Sequence, residues 1–189
     1  MNTRERLVES ARDLLWERGY AGTSPRDILE RAGAGQGSMY HHFRGKAELA
    51  LEVLEGNRDA ITAAGEATFG GDGAAFDRVS AYLLRERDAL RGCRIGRMTE
   101  DPQVMADETL RRPVEQTFAS LRAGLTTALT EGQRSGEFTP SFTPQRVAAT
   151  VVATLQGAYV LAKAANSTAP YDDAVHGALE LLAAHRTGA

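Results

Sequence analysis

Apolar residues recur with a helical period along nearly the whole chain. Leu7, Ala11, Leu14 and Leu15 stand at i, i+4, i+7 and i+8, one stripe of a first amphipathic helix. Gly19 is suited to end it. Ser24-Pro25-Arg26-Asp27 then reads as a start signal: a capping serine, proline at the first helical position and a carboxylate three residues after the cap. Ile28, Leu29 and Ala32 give the second, short helix its apolar face, and Gly33-Ala34-Gly35 breaks it. A third short helix is expected over 36–43, with Met39 and Phe43 at i, i+4. Arg44-Gly45 turns the chain into a long helix from about Lys46 that carries Leu49, Val53 and Leu54.

Longer helices follow. Gly70-Gly71-Asp72-Gly73 is a connector before a helix through Phe76, Val79 and Leu83. Gly92-Cys93-Arg94-Ile95-Gly96-Arg97 opens a short segment that Asp101-Pro102 is expected to end or kink. A helix of some two dozen residues then reaches Gln133, with Phe118, Leu121 and Leu125 on one stripe. Thr143-Pro144 starts another, to about Lys163, and Ser167-Thr168-Ala169-Pro170 separates it from a last one through His185. Alternating strand patterns are weak everywhere. The fold class predicted is all-α, with about nine helices: an N-terminal three-helix helix-turn-helix domain over 1–48 and a larger helical domain over 49–189.

Composition narrows the class. In 189 residues, 42% hydrophobic and 25% charged is ordinary globular make-up. No apolar run is read as approaching the roughly 20 residues that cross a bilayer, and the N-terminus passes into an amphipathic segment without a secretory apolar core. A cytoplasmic protein without membrane partners is expected. The net charge of −3 does not suggest nucleic acid, but its distribution is uneven. Residues 1–50 hold 8 Lys+Arg against 7 Asp+Glu, or +1; residues 51–189 hold 14 against 18, or −4. Cys93 is single, so no internal disulfide or structural zinc site is expected. No nucleophile elbow, phosphate-binding glycine loop or paired metal ligands stand out, so neither an enzyme nor a bound cofactor is expected. His41 and His42 are adjacent on a helix and point apart, which argues against a metal.

Two short helices joined by a glycine-containing turn, after a longer first helix, are the parts of a helix-turn-helix. The second would enter the major groove with its N-terminal residues. Gln36 can both donate to and accept from a base edge, Gly37 lets the backbone approach closely, and Ser38 can bond base or phosphate. Tyr40, His41 and Lys46 are placed for flanking phosphates. The stretch from Thr3 to Leu49 resembles the TetR family of bacterial repressors. The resemblance lies in Glu17-Arg18-Gly19-Tyr20, Thr23-Ser24 with Ile28, Gly37-Ser38-Met39-Tyr40-His41-His42-Phe43, Lys46 and Glu48-Leu49, at unbroken spacing. It implies DNA contacts at Gln36, Gly37, Ser38, Tyr40 and His41, with Tyr40 and Lys46 on phosphate, and at Thr23 and Arg26 on the backbone or neighbouring bases. Gly35 and Gln36 stand where the family often has a capping serine and a cation.

Gly92-Cys93-Arg94-Ile95-Gly96 with Gln156-Gly157-Ala158-Tyr159-Val160-Leu161-Ala162 is similar to the C-terminal half of the LmrA/YxaF-type subgroup. That implies a small hydrophobic or aromatic effector. Met98, Met105, Phe118, Leu121, Leu125, Leu155 and Tyr159 are candidates to line its cavity, and Gln116 and Gln156 to orient it; all seven apolar residues serve equally as ordinary core. The resemblance also implies a homodimer through the last two helices. Val151, Ala158 and Ala162, beside Leu155, mark one candidate face, and Val175, Ala178, Leu179 and Leu182 another; packing onto their own subunit is the competing reading. The arginines around Cys93 would suit a redox-sensitive thiol, against a small packing residue. The function implied is a dimeric repressor released from a palindromic operator on double-stranded DNA by a small molecule. A ligand-independent DNA binder or an activator are the alternatives.

Overall fold

The computed structural model describes residues 1–187. They form nine α-helices and one 3-10 turn, with a single isolated β-bridge between Phe138 and Arg186. The helices are α1 (Thr3–Arg18), α2 (Pro25–Ala32), α3 (Ser38–His42), α4 (Lys46–Phe69), α5 (Ala75–Leu84), α6 (Pro102–Ala106), α7 (Glu108–Arg134), α8 (Pro144–Ala165) and α9 (Ala169–Ala183). The 3-10 turn, Gly96–Glu100, precedes α6. By contact the chain divides into two compact units, Met1–Ala60 with Cys93–Thr117, and Ile61–Gly92 with Phe118–Ala189.

In the first unit the predicted stripe of α1 is inward: Leu7, Ala11, Leu14 and Leu15 are buried, joined by Ile28, Leu29 and Ala32 of α2, Met39 of α3, and Leu49, Val53 and Leu54 of α4. Asn2 starts α1 with a reciprocal cap, its side chain accepting from Glu5 N at 2.9 Å while its own N–H donates to the Glu5 carboxylate. Gly19 ends α1 at φ 78°, a conformation that glycine adopts without a Cβ penalty. Ser24 caps α2 as the sequence predicts, accepting from Asp27 N at 3.2 Å while Asp27 accepts from Ser24 N at 2.8 Å. Ser24→Ala is therefore expected to destabilise the protein by about 1 kcal/mol in denaturant unfolding, and Ser24→Asp to restore most of it.

The third helix departs from expectation. It is five residues, Ser38–His42, with Gly37 rather than Gly35 at the cap position and no side-chain cap. Gln36 and Gly37 therefore lie in the turn before it. Asp101-Pro102 ends the 3-10 turn as expected, with Asp101 at its C-terminal cap, and in addition starts a helix. Asp101 caps α6 and Pro102 takes its first position, where a missing N–H costs nothing.

In the second unit α8 packs along α9, and α5 also meets α9. Tyr159 and Tyr171 stack with ring centroids 5.2 Å apart. Phe138 is fully buried, and Gly132 makes room for it: a Cβ there would stand 2.5 Å from the Phe138 ring. One expectation is corrected here. α8 is long and apolar enough, by length and composition, to cross a membrane. Between Arg146 and Lys163 its apolar residues are interrupted by Thr150, Thr154 and Gln156 instead of charges, so no unbroken run marks it in the sequence. Only 39% of that apolar stretch is buried. The outward part includes Val160 and Leu161, which are exposed.

Candidate nucleic-acid interface

The reading segment is presented by its own core. Met39 is fully buried and Phe43 nearly so, while their neighbours Tyr40, His41 and His42 are exposed. Phe43 N donates to Met39 O at 2.8 Å, closing the helix, and the Arg4 guanidinium lies 5.1 Å over the Phe43 ring. Gln36 and Gly37 are exposed and Ser38 half-buried. Tyr40 is 64% exposed, an unusual place for a large ring without a partner to cover it. Arg26 is exposed on α2 and paired with Glu30 at 2.7 Å.

Two residues of the predicted set are turned inward. Thr23 is 1% exposed, and its hydroxyl donates to Gly19 O at 2.7 Å. Lys46 donates to Tyr20 O at 3.0 Å and Thr23 O at 3.1 Å, with its ammonium 3.9 Å over the Tyr20 ring. Desolvation by burial holds the Lys46 pKa below the usual lysine value, and the charge of Asp101 opposes that shift. The Tyr20 hydroxyl is pushed up by burial and by Asp107 and Asp101. The Lys46 ammonium and the Thr23 hydroxyl hold the turn between α1 and α2; they do not project from it.

Most arginines of residues 1–50 are engaged. Arg31 grips Glu17 at 2.8 and 3.0 Å, Arg18 approaches Asp27 at 3.6 Å, Arg4 pairs with Glu52, Arg12 pairs with Glu9, and Arg6 donates to Ala32 O at 3.0 Å. Arg44 is exposed, and among the described residues its side chain has no ion pair. Its sequence signal, Arg-Gly between two helices, reads only as a turn.

The predicted effector residues are divided between the units. Met98 is buried, and Met105 and Gln116 are exposed, in the first; Gln116 accepts from Arg58 at 3.1 Å. Leu121, Leu125, Leu155 and Tyr159 are buried in the second, with Phe118 and Gln156 half-buried. None of these nine residues lines the cavities of about 220 Å³ beside Tyr171, 480 Å³ beside Arg44 or 200 Å³ beside Asp101. The predicted dimer residues differ in burial. Val151, Ala158, Ala162, Val175 and Leu182 are buried within their own chain, and Ala178 and Leu179 are half-buried. The large apolar residues that α8 and α9 leave exposed are Val160, Leu161 and Leu181.

A profile described as "Bacterial regulatory proteins, tetR family" matches residues 7–53, and one described as "Tetracyclin repressor-like, C-terminal domain" matches 73–178. The chain belongs to the TetR family of bacterial regulatory proteins. An uncharacterized helix-turn-helix-type transcriptional regulator of Lactococcus lactis is 26% identical over 129 residues, covering 64% of this chain and 65% of that protein. The transcriptional repressor KstR2 of Mycobacterium tuberculosis is 43% identical over 60 residues, 32% of this chain and 30% of its own. The matched stretch thus spans less than two thirds of either curated relative. The crystal structure of a TetR transcriptional regulator from Chloroflexus aurantiacus superimposes with a TM-score of 0.82 at 26% identity, over 97% of this chain and 96% of that one.

Proposed function

We propose that the protein is a homodimeric transcriptional repressor, not an enzyme, that holds a palindromic operator in the cytoplasm and is released by a small hydrophobic or aromatic molecule. The observation that carries this reading is the Gln36–His41 segment. A short helix is pinned by a wholly buried Met39, and the polar and aromatic residues around that methionine face outward. Gln36, Gly37 and Ser38 meet base edges or phosphates, Tyr40 and His41 the flanking backbone, and Arg26 the neighbouring strand. Arg44 joins them on phosphate, in the role the sequence assigned to Lys46.

Lys46 and Thr23 shape the turn instead, which separates two measurable effects. Lys46→Met is expected to lower stability by about 1–2 kcal/mol, since two carbonyls lose a charged donor. The salt slope of DNA binding should stay as in the wild type. Arg44→Gln should leave stability unchanged and reduce that slope by about one unit. An unchanged slope in the Arg44 variant would remove its phosphate contact from this reading.

The effector is proposed to be met in the helical body by Phe118, Leu121, Leu125, Leu155, Gln156 and Tyr159, an apolar set with one amide to orient the molecule. It acts only through a difference in its affinity for the DNA-competent and incompetent states. Selection of bound duplexes from random sequence, repeated against a compound library, tests both halves. An enriched palindrome released by an apolar compound supports the reading. An enriched palindrome that no compound releases favours a ligand-independent regulator, and no enrichment overturns it.

A further inference from the structure

Asp101 uses its two carboxylate oxygens on different parts of the first unit. Oδ1 caps α6, accepting from Gln103 N at 3.0 Å and Val104 N at 3.3 Å. Oδ2 accepts from the backbone N–H of Ala21 at 2.7 Å, from a residue 80 positions away. Ala21 belongs to the Gly19–Thr23 turn that joins α1 to α2. Lys46 holds the same turn by the carbonyls of Tyr20 and Thr23. Gly19 completes the fit: a Cβ there would stand 3.1 Å from Asp101 Oδ2, and its φ is 78°. Asp101 is 7% exposed, and its charge-assisted bond to Ala21 is part-buried. Asp107 offers the contrast. It caps α7 through Thr109 N at 2.8 Å and Leu110 N at 3.3 Å, is exposed, and makes no hydrogen bond to the turn among the described residues.

We propose that Asp101 is a positioning residue for DNA binding, fastening the turn that carries α2 and α3 to the first turn of α6. This rests on the DNA-binding reading above. The segment 93–117, which sequence alone assigns to the larger domain, packs in one compact unit with residues 1–60. Through Asp101, the first turn of α6 fixes the place of Ala21, three residues before the Ser24 cap, and with it the start of the helices that read DNA.

Asp101→Asn tests this with little change of volume. One oxygen remains for the α6 amides, while an NH₂ group faces the Ala21 N–H, donor against donor. The probe is a duplex enriched from random sequence by the wild-type protein. Asp101→Asn is expected to bind it about tenfold more weakly, the loss that follows when a charged hydrogen bond is removed. Asp107→Asn, which loses a cap and the same charge, should stay within about twofold, because cap losses are small and local. In the nuclear magnetic resonance spectrum the Ala21 amide proton should move upfield and exchange faster in Asp101→Asn alone. Electrostatics by itself predicts the opposite sign, since removing a negative charge strengthens DNA binding. The proposal is overturned by wild-type or tighter affinity in Asp101→Asn, or by an unaltered Ala21 amide. It is also overturned by a loss that only matches the fraction unfolded, or by an equal loss in Asp107→Asn. Should the wild-type protein enrich no duplex, the DNA-binding reading itself falls, and this proposal with it.

Discussion

Met39→Ala will destabilise the protein by about 2–5 kcal/mol and weaken DNA binding as well, whereas Tyr40→Ala will affect binding alone. The two residues are adjacent and comparably large. Met39 is fully buried; Tyr40 is 64% exposed. α3 has five residues and no side-chain cap, so it has almost no stability of its own and depends on what anchors it. Truncating Met39 leaves a cavity beneath the helix and releases the whole reading segment. Truncating Tyr40 removes a ring that makes no hydrogen bond among the described residues, so stability should change by no more than about 0.5 kcal/mol. A bound duplex loses one phosphate partner, and affinity should fall about tenfold, an ordinary effect for one contact at a protein–DNA interface. Denaturant unfolding and DNA titration on both variants separate the effects. Wild-type DNA affinity in Tyr40→Ala would remove α3 from the interface.

This contrast shows what is legible in a sequence and what is not. Met39 and Phe43 announce themselves by their spacing, and Ser24-Pro25-Arg26-Asp27 by the chemistry of a helix start, because both signals are local. The start of α3 is less legible: Gly35, Gln36 and Gly37 carry no capping side chain to mark the boundary, and the helix begins two residues later than expected. Thr23 and Lys46 are hard to place from sequence for a different reason. Hydroxyl and ammonium groups near a recognition helix look like DNA contacts, but which way they face depends on Gly19 O and the Tyr20 and Thr23 carbonyls, brought near by the fold. Asp101 is hidden for the same reason. Its capping role is written in Asp-Pro, while its bond to Ala21 exists only once residues 80 positions apart have met.

The outward face of α8 and α9 presents the same difficulty and the second large effect. α8 is apolar on two sides: Val151, Leu155, Ala158 and Ala162 turn inward, and Ala153, Gly157, Val160, Leu161 and Ala164 outward. Periodicity finds both stripes and cannot say which one the chain itself covers. The structure settles the inward set, and leaves Val160, Leu161 and Leu181 at 58%, 52% and 74% exposure. The proposed occupant is a second copy of the same helices, with small residues allowing close approach. Leu161→Glu should then place a charge in an apolar interface without disturbing the core of its own chain. The expected result is a folded monomer, with unchanged circular dichroism and half the mass by light scattering. Two half-sites one turn of DNA apart, about 34–36 Å, can be held together only by a dimer. A monomer forfeits the gain from linking two sites, on the order of 10²–10⁴ in affinity, so operator binding should be all but lost at concentrations that saturate the wild type. A Leu161→Glu protein that stays dimeric and binds DNA normally would move the interface elsewhere and leave this face without an occupant.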